Sequence, residues 1–282
     1  MSKGKVFLLL SAFIYGIVPV FAKYSYMGCA NSVTLTFLRA ALTLPVLFLM
    51  LRASGIDIRL TRAEALRITL LGSLGGAAPI ILLYMSYDFI SIGLASTLHF
   101  IYPLITVLAN AFIYHERMKI PTLGAVVLVT IGIFMFADIT SRGDVAGIML
   151  ALLSGIFYSF YVIYIDRSGL DSMGYIKLTF YTMLIMSIAT LAFGLIVHGI
   201  SFDMDLRAWS IAGAISIMIT LFAIPLFQAG VRHEGANMAG ILSAAEPVVS
   251  IASGALFLGE SIGAGQLAGA AVIFIGLMLV WK

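Results

Sequence analysis

A single carboxyl group, Glu246, lies in the middle of an almost uncharged stretch of the sequence, GILSAAEPVVSIASGALFLGE from Gly240 to Glu260. A carboxyl group can exchange a proton or bind an amine, so a glutamate in such a place is a candidate for chemistry. Removal from water makes its charged form costly. The alternative is a packing role, either as a neutral acid or as one member of a fixed ion pair. The sequence leaves both readings open.

Histidine and tyrosine side chains form the second set of candidates. His99 and Tyr102 are three residues apart, which places them on nearly one face of a helix. An imidazole can shuttle protons near neutral pH, and tyrosine rings can stack on a planar ligand or hold a cation. Together the candidate substrate-binding residues are Tyr15, Tyr84, His99, Tyr102, Tyr158 and Glu246, of which Glu246 and His99 are also candidates for proton coupling. Packing is the alternative for His99, and the interfacial aromatic belt is the alternative for Tyr84 and Tyr87.

The elements that must position these groups are membrane-spanning helices. Hydrophobic residues make up 62% of the chain and charged residues only 10%, whereas a soluble domain carries about 25% charged residues. The apolar stretches are long enough to cross a bilayer, and nothing alternates in the manner of barrel strands. The sequence therefore predicts an all-α integral membrane protein with ten transmembrane helices, over about 5–27, 32–51, 66–88, 93–114, 121–138, 145–165, 174–198, 208–229, 236–258 and 263–281.

The distribution of lysine and arginine predicts the orientation. If the N-terminus is cytoplasmic, eleven cations lie at cytoplasmic ends and loops: Lys3, Lys5, Arg52, Arg59, Arg62, Arg67, Arg117, Lys119, Arg167, Arg232 and Lys282. The opposite loops hold only Arg142 and Arg207. This positive-inside bias predicts a multi-pass protein of the inner (plasma) membrane with both termini in the cytoplasm. It also accounts for the net charge of +3, so no nucleic-acid partner is expected.

The remaining composition excludes several kinds of site. The apolar run after MSKGK is too long for a cleaved signal, so the first helix is expected to stay. One cysteine, Cys29, excludes an intrachain disulfide and a multi-thiolate metal site. No H-E-x-x-H, G-x-S-x-G or phosphate-binding glycine motif is present. We expect no metal, no cofactor and no catalytic residues.

The sequence contains an internal repeat. Pro103 and Pro247 are 144 residues apart, and so are Glu116 and Glu260. This spacing predicts two five-helix units, residues 1–140 and 141–282. Because five crossings end on the side opposite to their start, the second unit must insert upside down. Inverted repeats of this kind are typical of secondary transporters, with the substrate site at the repeat interface, although duplication can also simply enlarge a bundle.

The motifs of the two units resemble the drug/metabolite transporter superfamily, in its EamA branch. The matching residues are Tyr102-Pro103 and His115-Glu116 in the first unit, and Glu246-Pro247, Leu258-Gly259-Glu260, Gln266 and Gly269 in the second. Tyr15-Gly16 stands where such proteins often carry Trp-Gly in the first helix. The resemblance covers nearly the whole chain, and it implies the ten-helix fold and export of amino acids or related metabolites.

Five further residues have predicted structural roles. Pro103 and Pro247 each remove a backbone donor and are expected to kink their helices. Glu116 and Glu260 are predicted to be helix caps. Arg39, a cation inside the second helix, is interpreted as structural, with an acid or backbone carbonyl groups as its expected partners.

The sequence thus predicts a secondary active carrier that moves a small organic metabolite by alternating access, with proton coupling as one option. Its expected partners are the substrate, the lipid bilayer and, in the coupled case, protons, and it is expected to be a monomer or a homodimer. The alternatives are an uncoupled facilitator of the same substrates and an intramembrane enzyme, for which only His99 and Glu246 could supply the catalytic groups.

Overall fold

Apolar helices that cross the membrane build nearly all of the protein. The computed structural model describes residues 2–87, 89–90, 92–135, 144–259 and 261–281. Within these residues there are seven helical segments long and apolar enough to span a bilayer, and three shorter apolar helices. One long segment, Leu206–Ser243, contains one crossing and the first part of the next, because the backbone leaves the helical conformation at Gly235. The shorter helix Ala245–Leu258 completes that next crossing. The described residues therefore form ten crossings, as the sequence predicts.

The ten helices agree with the predicted segments to within a few residues at each end. In chain order they are α1 (Lys3–Tyr26), α2 (Ser32–Ala53), α3 (Arg62–Ser86), α4 (Leu94–Phe112), α5 (Ile120–Phe134), α6 (Val145–Arg167), α7 (Tyr175–Ile196), α8 (206–234), α9 (236–258) and α10 (Ala264–Leu279).

Short polar side chains mark where several helices begin. The side chains of Ser2, Asn31, Asp144 and Asp205 accept a hydrogen bond from a backbone N–H in the first turn of α1, α2, α6 and α8. At α3, Thr61 and Glu64 form a reciprocal capping box. These bonds satisfy donors that the helix itself leaves unpaired, so the loops fix the start of each crossing.

The two five-helix units are inverted copies of each other, and their packing follows from that relation. α1 packs on α8 and α9 of the second unit, and its repeat counterpart α6 packs on α3 and α4 of the first. α2 packs on its own counterpart α7, and α5 packs on α10. A two-fold axis in the membrane plane requires such an exchange of partners.

The repeated glycines Gly132 and Gly276 lie at the contact between α5 and α10. A Cβ atom on Gly132 would come within 2.7 Å of the Gly269 carbonyl oxygen, and one on Gly276 within 3.1 Å of the Ala125 carbonyl oxygen. Only glycine permits this approach of the two backbones, which explains why the sequence repeats it in both units.

Two irregularities interrupt the helices. α3 and α8 each contain a π-helical segment, Leu71–Ala77 and Met218–Ala223, followed by Pro79 and Pro225. Between α8 and α9, Gly235 has a φ of 79°, which glycine adopts without strain, and the chain reverses there with no further loop. The Asp166 carboxylate of α6 accepts from the Ala236 N–H and so caps the start of α9.

Candidate functional site

A cavity of about 500 Å³ lies between the two units, a size typical of sites for small organic molecules. All six residues predicted to bind the substrate line it: Tyr15, Tyr84, His99, Tyr102, Tyr158 and Glu246. Four of them come from the first unit, on α1, α3 and α4, and two come from the second unit, on α6 and α9. The fold thus gathers side chains that are up to 231 positions apart in sequence around one chamber.

The chamber extends from the middle of the membrane toward the face opposite the termini. On α3 its lining runs from Pro79 to Tyr87, at the end of the helix far from the termini, and on α10 it includes Gln266, close to that helix's start. Tyr15 and Glu246 lie near the middle of α1 and α9 and form its deep end.

Helix breaks shape this deep end. α4 is interrupted between His99 and Tyr102, and α9 is interrupted at Ala244. The break in α4 follows His99, and the break in α9 follows Ser243. In an unbroken helix the carbonyl group of each of these residues would accept a hydrogen bond from the backbone N–H four positions later. The residue at that position is Pro103 or Pro247, which has no N–H to donate. The prolines therefore explain why both helices break at equivalent points of the repeat.

His99 is held in one tautomer by a chain of hydrogen bonds. The Ser154 hydroxyl donates to the Pro79 carbonyl oxygen at 2.8 Å, and the same hydroxyl lies 2.6 Å from His99 Nδ1. Since a carbonyl oxygen can only accept, Ser154 uses its proton there and must accept from His99 Nδ1–H. In the neutral ring Nε2 is then left as an acceptor, on a side chain that lines the cavity.

Aromatic rings surround His99. Its ring centroid lies 5.3 Å from that of Tyr158 and 5.8 Å from that of Tyr102, and Tyr102 and Tyr158 meet edge to face at 4.6 Å. Tyr102 is only 1% exposed, and its hydroxyl has no hydrogen-bond partner among the described residues. This cluster joins α4 to α6 at the deep end and offers ring faces and an unpaired hydroxyl to a ligand.

Glu246 lies at the start of the helical segment that follows the break in α9. Its side chain is half-buried, lines the cavity and makes no hydrogen bond or ion pair to any residue that the structure describes. Against its backbone packs Gly16 of α1, where a Cβ atom would come within 2.7 Å of the Glu246 carbonyl oxygen. Glu246 lies in the first turn of that segment, where the helix N-terminus favours negative charge.

The sequence reasoning missed Arg39 and Gln266 as cavity residues. Arg39 was interpreted as structural, but its side chain lines the chamber and its Nε atom is buried without a partner. A lone cation within a membrane helix was the signal for it. Gln266 accepts from the Gly263 N–H at 2.9 Å at the start of α10. No spacing in the sequence pairs it with the other cavity residues.

The two predicted caps have different outcomes. The Glu116 carboxylate does not cap a helix; it pairs with Arg167 Nη2 at 2.7 Å, because α6 ends beside the loop that follows α4. Glu260 lies outside the described residues. Pro103 does not line the cavity and instead packs against Gly240 of α9.

Polar contacts close the face that carries the termini. Asn110 of α4 donates to the Asn237 side-chain oxygen of α9 at 2.7 Å, joining the two units below the chamber. The Glu116–Arg167 ion pair joins the same two units nearer the surface. Among the described residues no cluster of three or more histidine, cysteine, aspartate or glutamate side chains could hold a metal ion.

Comparisons with known proteins agree with this architecture. The model of the EamA-like transporter family matches residues 2–137 and 145–282, once in each half. An uncharacterized transporter of Archaeoglobus fulgidus is 25% identical over 288 aligned residues, covering 100% of this chain and 97% of the relative. One from Synechocystis sp. is 28% identical over 71% of this chain, which spans only 62% of that relative's length.

Two further matches bear on function and fold. A probable amino-acid metabolite efflux pump of Salmonella typhimurium is 26% identical over 66% of this chain and 66% of its own length. A protein of known crystal structure, 15% identical, superposes over 100% of this chain and 97% of its own with a TM-score of 0.86, which shows a shared fold. With the family model matching both halves and the two inverted units meeting at a common chamber, the chain belongs to the EamA-like transporter family and is a membrane transporter, not an enzyme.

Proposed function

We propose that the protein is a secondary active transporter that exports a small organic metabolite, an amino acid or a related compound, across the inner membrane by alternating access. The observation that supports this most directly is the chamber lined by residues of both halves. The name of the Salmonella relative favours the same class of cargo.

The two halves, residues 1–140 and 141–282, would rock about this fixed site. The cations at the termini-bearing face favour cytoplasmic termini, and the chamber would then face the outside in the state described here. Rocking would separate Asn110 from Asn237, open the cytoplasmic face and close the outer one. A monomer supplies the complete chamber, and a homodimer of such monomers would work in the same way.

Glu246 is the proposed proton-coupling residue, with His99 as the second candidate. A carboxyl group that reaches the chamber without a fixed partner can take up a proton from one side and release it on the other. Energy would then come from proton entry during export. The alternative is an uncoupled facilitator, in which Glu246 keeps its proton throughout and only contacts the cargo.

Reconstituted vesicles separate the two mechanisms. Cargo candidates are first found by a thermal-shift screen of the purified protein against a metabolite library, and their flux is then measured with and without an imposed pH gradient. We expect the gradient to drive accumulation and cargo flux to change the pH of the vesicle lumen. Flux that is indifferent to the gradient and leaves the lumenal pH unchanged would favour the facilitator.

Glu246→Gln tests the residue itself. We expect it to abolish gradient-driven accumulation while leaving cargo exchange between the two sides, because exchange needs no net proton movement. Glu64→Gln is the matched control, since Glu64 caps the exposed start of α3 far from the chamber. Full accumulation by the Glu246 variant would remove this residue as the coupling site.

A further inference from the structure

Arg39 carries a guanidinium group within the membrane that forms no ion pair with any residue the structure describes. It lies on α2, seven residues from the start of that helix at Ser32, and its side chain lines the chamber. Its Nε atom is buried without a hydrogen bond, and none of the described residues forms an ion pair or side-chain hydrogen bond with it. The contact it does make is through its backbone, whose carbonyl oxygen accepts from Thr220 Oγ1 at 3.2 Å.

Such an arrangement is costly unless something else binds the arginine. A charged side chain at this depth is unfavourable in lipid, and a buried donor without an acceptor loses the hydrogen bonds that water gave it. Arginine cannot escape by losing its proton, because it stays charged in proteins. A purely structural arginine would have carbonyl or carboxylate partners from its own helix or its neighbours, and Arg39 has none among the described residues.

The groups that face Arg39 leave space for a ligand. Glu246, Tyr15 and Tyr161 are near enough to interact with it electrostatically, but none is hydrogen-bonded to it. Arg39 and Glu246 belong to opposite units and are the two ionisable side chains of opposite charge in the lining that the structure describes.

We propose that Arg39 is the binding group for a carboxylate, and that the cargo is a small organic molecule recognised through its carboxylate. The guanidinium group presents paired N–H donors in the plane that a carboxylate accepts. In an amino acid the amine would then face Glu246 and the tyrosine rings, whereas an organic cation without a carboxylate would leave Arg39 unpaired and be rejected. This inference rests on the proposed transport function and narrows its substrate class.

Binding of matched compounds to the purified protein tests the inference. Each set has an amino acid, the amine left when the carboxylate is removed, and the acid left when the amine is removed. Three sets cover aromatic, aliphatic and cationic side chains: tyrosine, tyramine and hydroxyphenylpropionate; leucine, isopentylamine and isocaproate; lysine, cadaverine and aminocaproate. In every set in which any compound binds, we expect the tightest-binding compound to carry a carboxylate. The amine of that set should bind at least about tenfold more weakly.

Variants at Arg39 identify the group responsible. Arg39→Gln should weaken binding of the carboxylate-bearing compounds by about ten- to a hundredfold and leave the weak binding of the amines unchanged. Arg39→Lys should recover part of the affinity, because an ammonium group keeps the charge but not the planar pair of donors. Arg207→Gln is the matched control, since Arg207 lies over the Tyr24 ring at the same face and outside the chamber.

The outcomes are decisive in each direction. Binding of amines as tight as that of the acids, an unchanged affinity in Arg39→Gln, or no binding by any carboxylate-bearing compound would overturn the inference. If Arg39→Gln does not give a folded, monodisperse protein, the partial loss in a folded Arg39→Lys decides. Acids that bind through Arg39 but never cross a membrane would contradict the transport function alone. Transport of the amines as fast as that of the carboxylate-bearing compounds would contradict the role of Arg39 but not the transport function.

Discussion

At the scale of residues, the chamber depends on hydrogen bonds that are absent as much as on those that are formed. Glu246 and Arg39 form no hydrogen bond or ion pair through their side chains with the described residues, and the Tyr102 hydroxyl has no hydrogen-bond partner among them. His99, in contrast, is hydrogen-bonded to Ser154. The unpaired groups can meet a ligand without first breaking a protein contact. The fixed group supplies a defined acceptor, Nε2, beside them.

Replacing Ser154 with alanine tests the fixed group. Without Ser154 the His99 ring loses the acceptor that selects its Nδ1–H tautomer, so cargo that donates to Nε2 should bind roughly three- to tenfold more weakly. Nitrogen NMR shifts of the imidazole report the tautomer directly. Ser159→Ala is the control, because Ser159 is also buried on α6 and accepts from Thr106 of α4, but outside the chamber. An unchanged tautomer in Ser154→Ala would contradict this account.

At the scale of elements, the repeat fixes where helices must break and where they must touch. Pro103 lies four residues after His99, where α4 is interrupted. Pro247 lies four residues after Ser243, where α9 is interrupted. Gly16 lets α1 approach α9 beside Glu246. The prolines shape the deep end of the chamber by breaking α4 and α9. Gly16 shapes it by allowing α1 to hold α9 in place.

Pro247→Ala tests the break in α9. Alanine restores the N–H that the Ser243 carbonyl lacks and removes a residue that costs about 3 kcal/mol inside a helix. We expect thermal stability to be equal or higher and the transport rate to fall severalfold. Pro121→Ala is the control, because Pro121 occupies the first turn of α5, where its missing N–H has no intrahelical partner anyway. A transport rate unchanged by Pro247→Ala would show that the break has no part in turnover.

Gly16→Ala tests the crossing of α1 and α9. Its methyl group would lie 2.6 Å from Val249 Cβ and 2.7 Å from the Glu246 carbonyl oxygen, so the helices must separate. Overpacking of this kind costs about 1–3 kcal/mol, seen as a lower Tm in detergent. In Gly213→Ala, the control on α8, the added Cβ meets nothing within 4 Å, and Tm should not fall. Equal Tm values for the two variants would contradict the close crossing.

At the scale of the whole molecule, the chamber is open toward one membrane face, and polar contacts hold the two units together at the other. The chamber extends toward the face opposite the termini, and Asn110–Asn237 and Glu116–Arg167 tie the two units together on the termini side. Transport by alternating access would require these contacts to part in every cycle.

A disulfide across the closed face tests that requirement. With Cys29 replaced by serine, cysteines at 110 and 237 would stand where the amide groups of Asn110 and Asn237 are 2.7 Å apart. Oxidation should stop transport, reduction should restore it, and cargo should still bind from the open face. Each single-cysteine variant treated with the same oxidant is the control. Undiminished transport by the cross-linked protein would mean that this face need not open.

Much of this architecture could be predicted from the sequence, because lipid and duplication leave few solutions. The lengths of the apolar stretches predicted the ten crossings, and the 144-residue spacing of Pro103 and Pro247 predicted the inverted repeat. Tyr15, His99 and Glu246 could be predicted as cavity residues because each is a polar side chain far from the ends of its membrane helix. What the sequence could not supply was azimuth, the direction in which a side chain points around its helix.

Arg39 and Glu116 show why that direction decides a role. Arg39 was expected to have a protein partner, but α2 directs it into the chamber. Glu116 was expected to cap a helix, but it reaches Arg167, 51 positions away. Both outcomes depend on how α2, α4 and α6 are rotated against their neighbours, and a single sequence contains no record of that rotation.

The Tyr102 and Glu246 positions correspond in the two halves, yet one carries a phenol and the other an acid. The two positions are equivalent in the repeat, but the side chains that line the chamber there are chemically different. A cargo molecule with chemically distinct ends would therefore favour one orientation in the chamber, with one end toward each half. If the protein works by alternating access as proposed, the cargo would leave past a different set of side chains from those it met on entry. The rates of loading and of release would then depend on different residues.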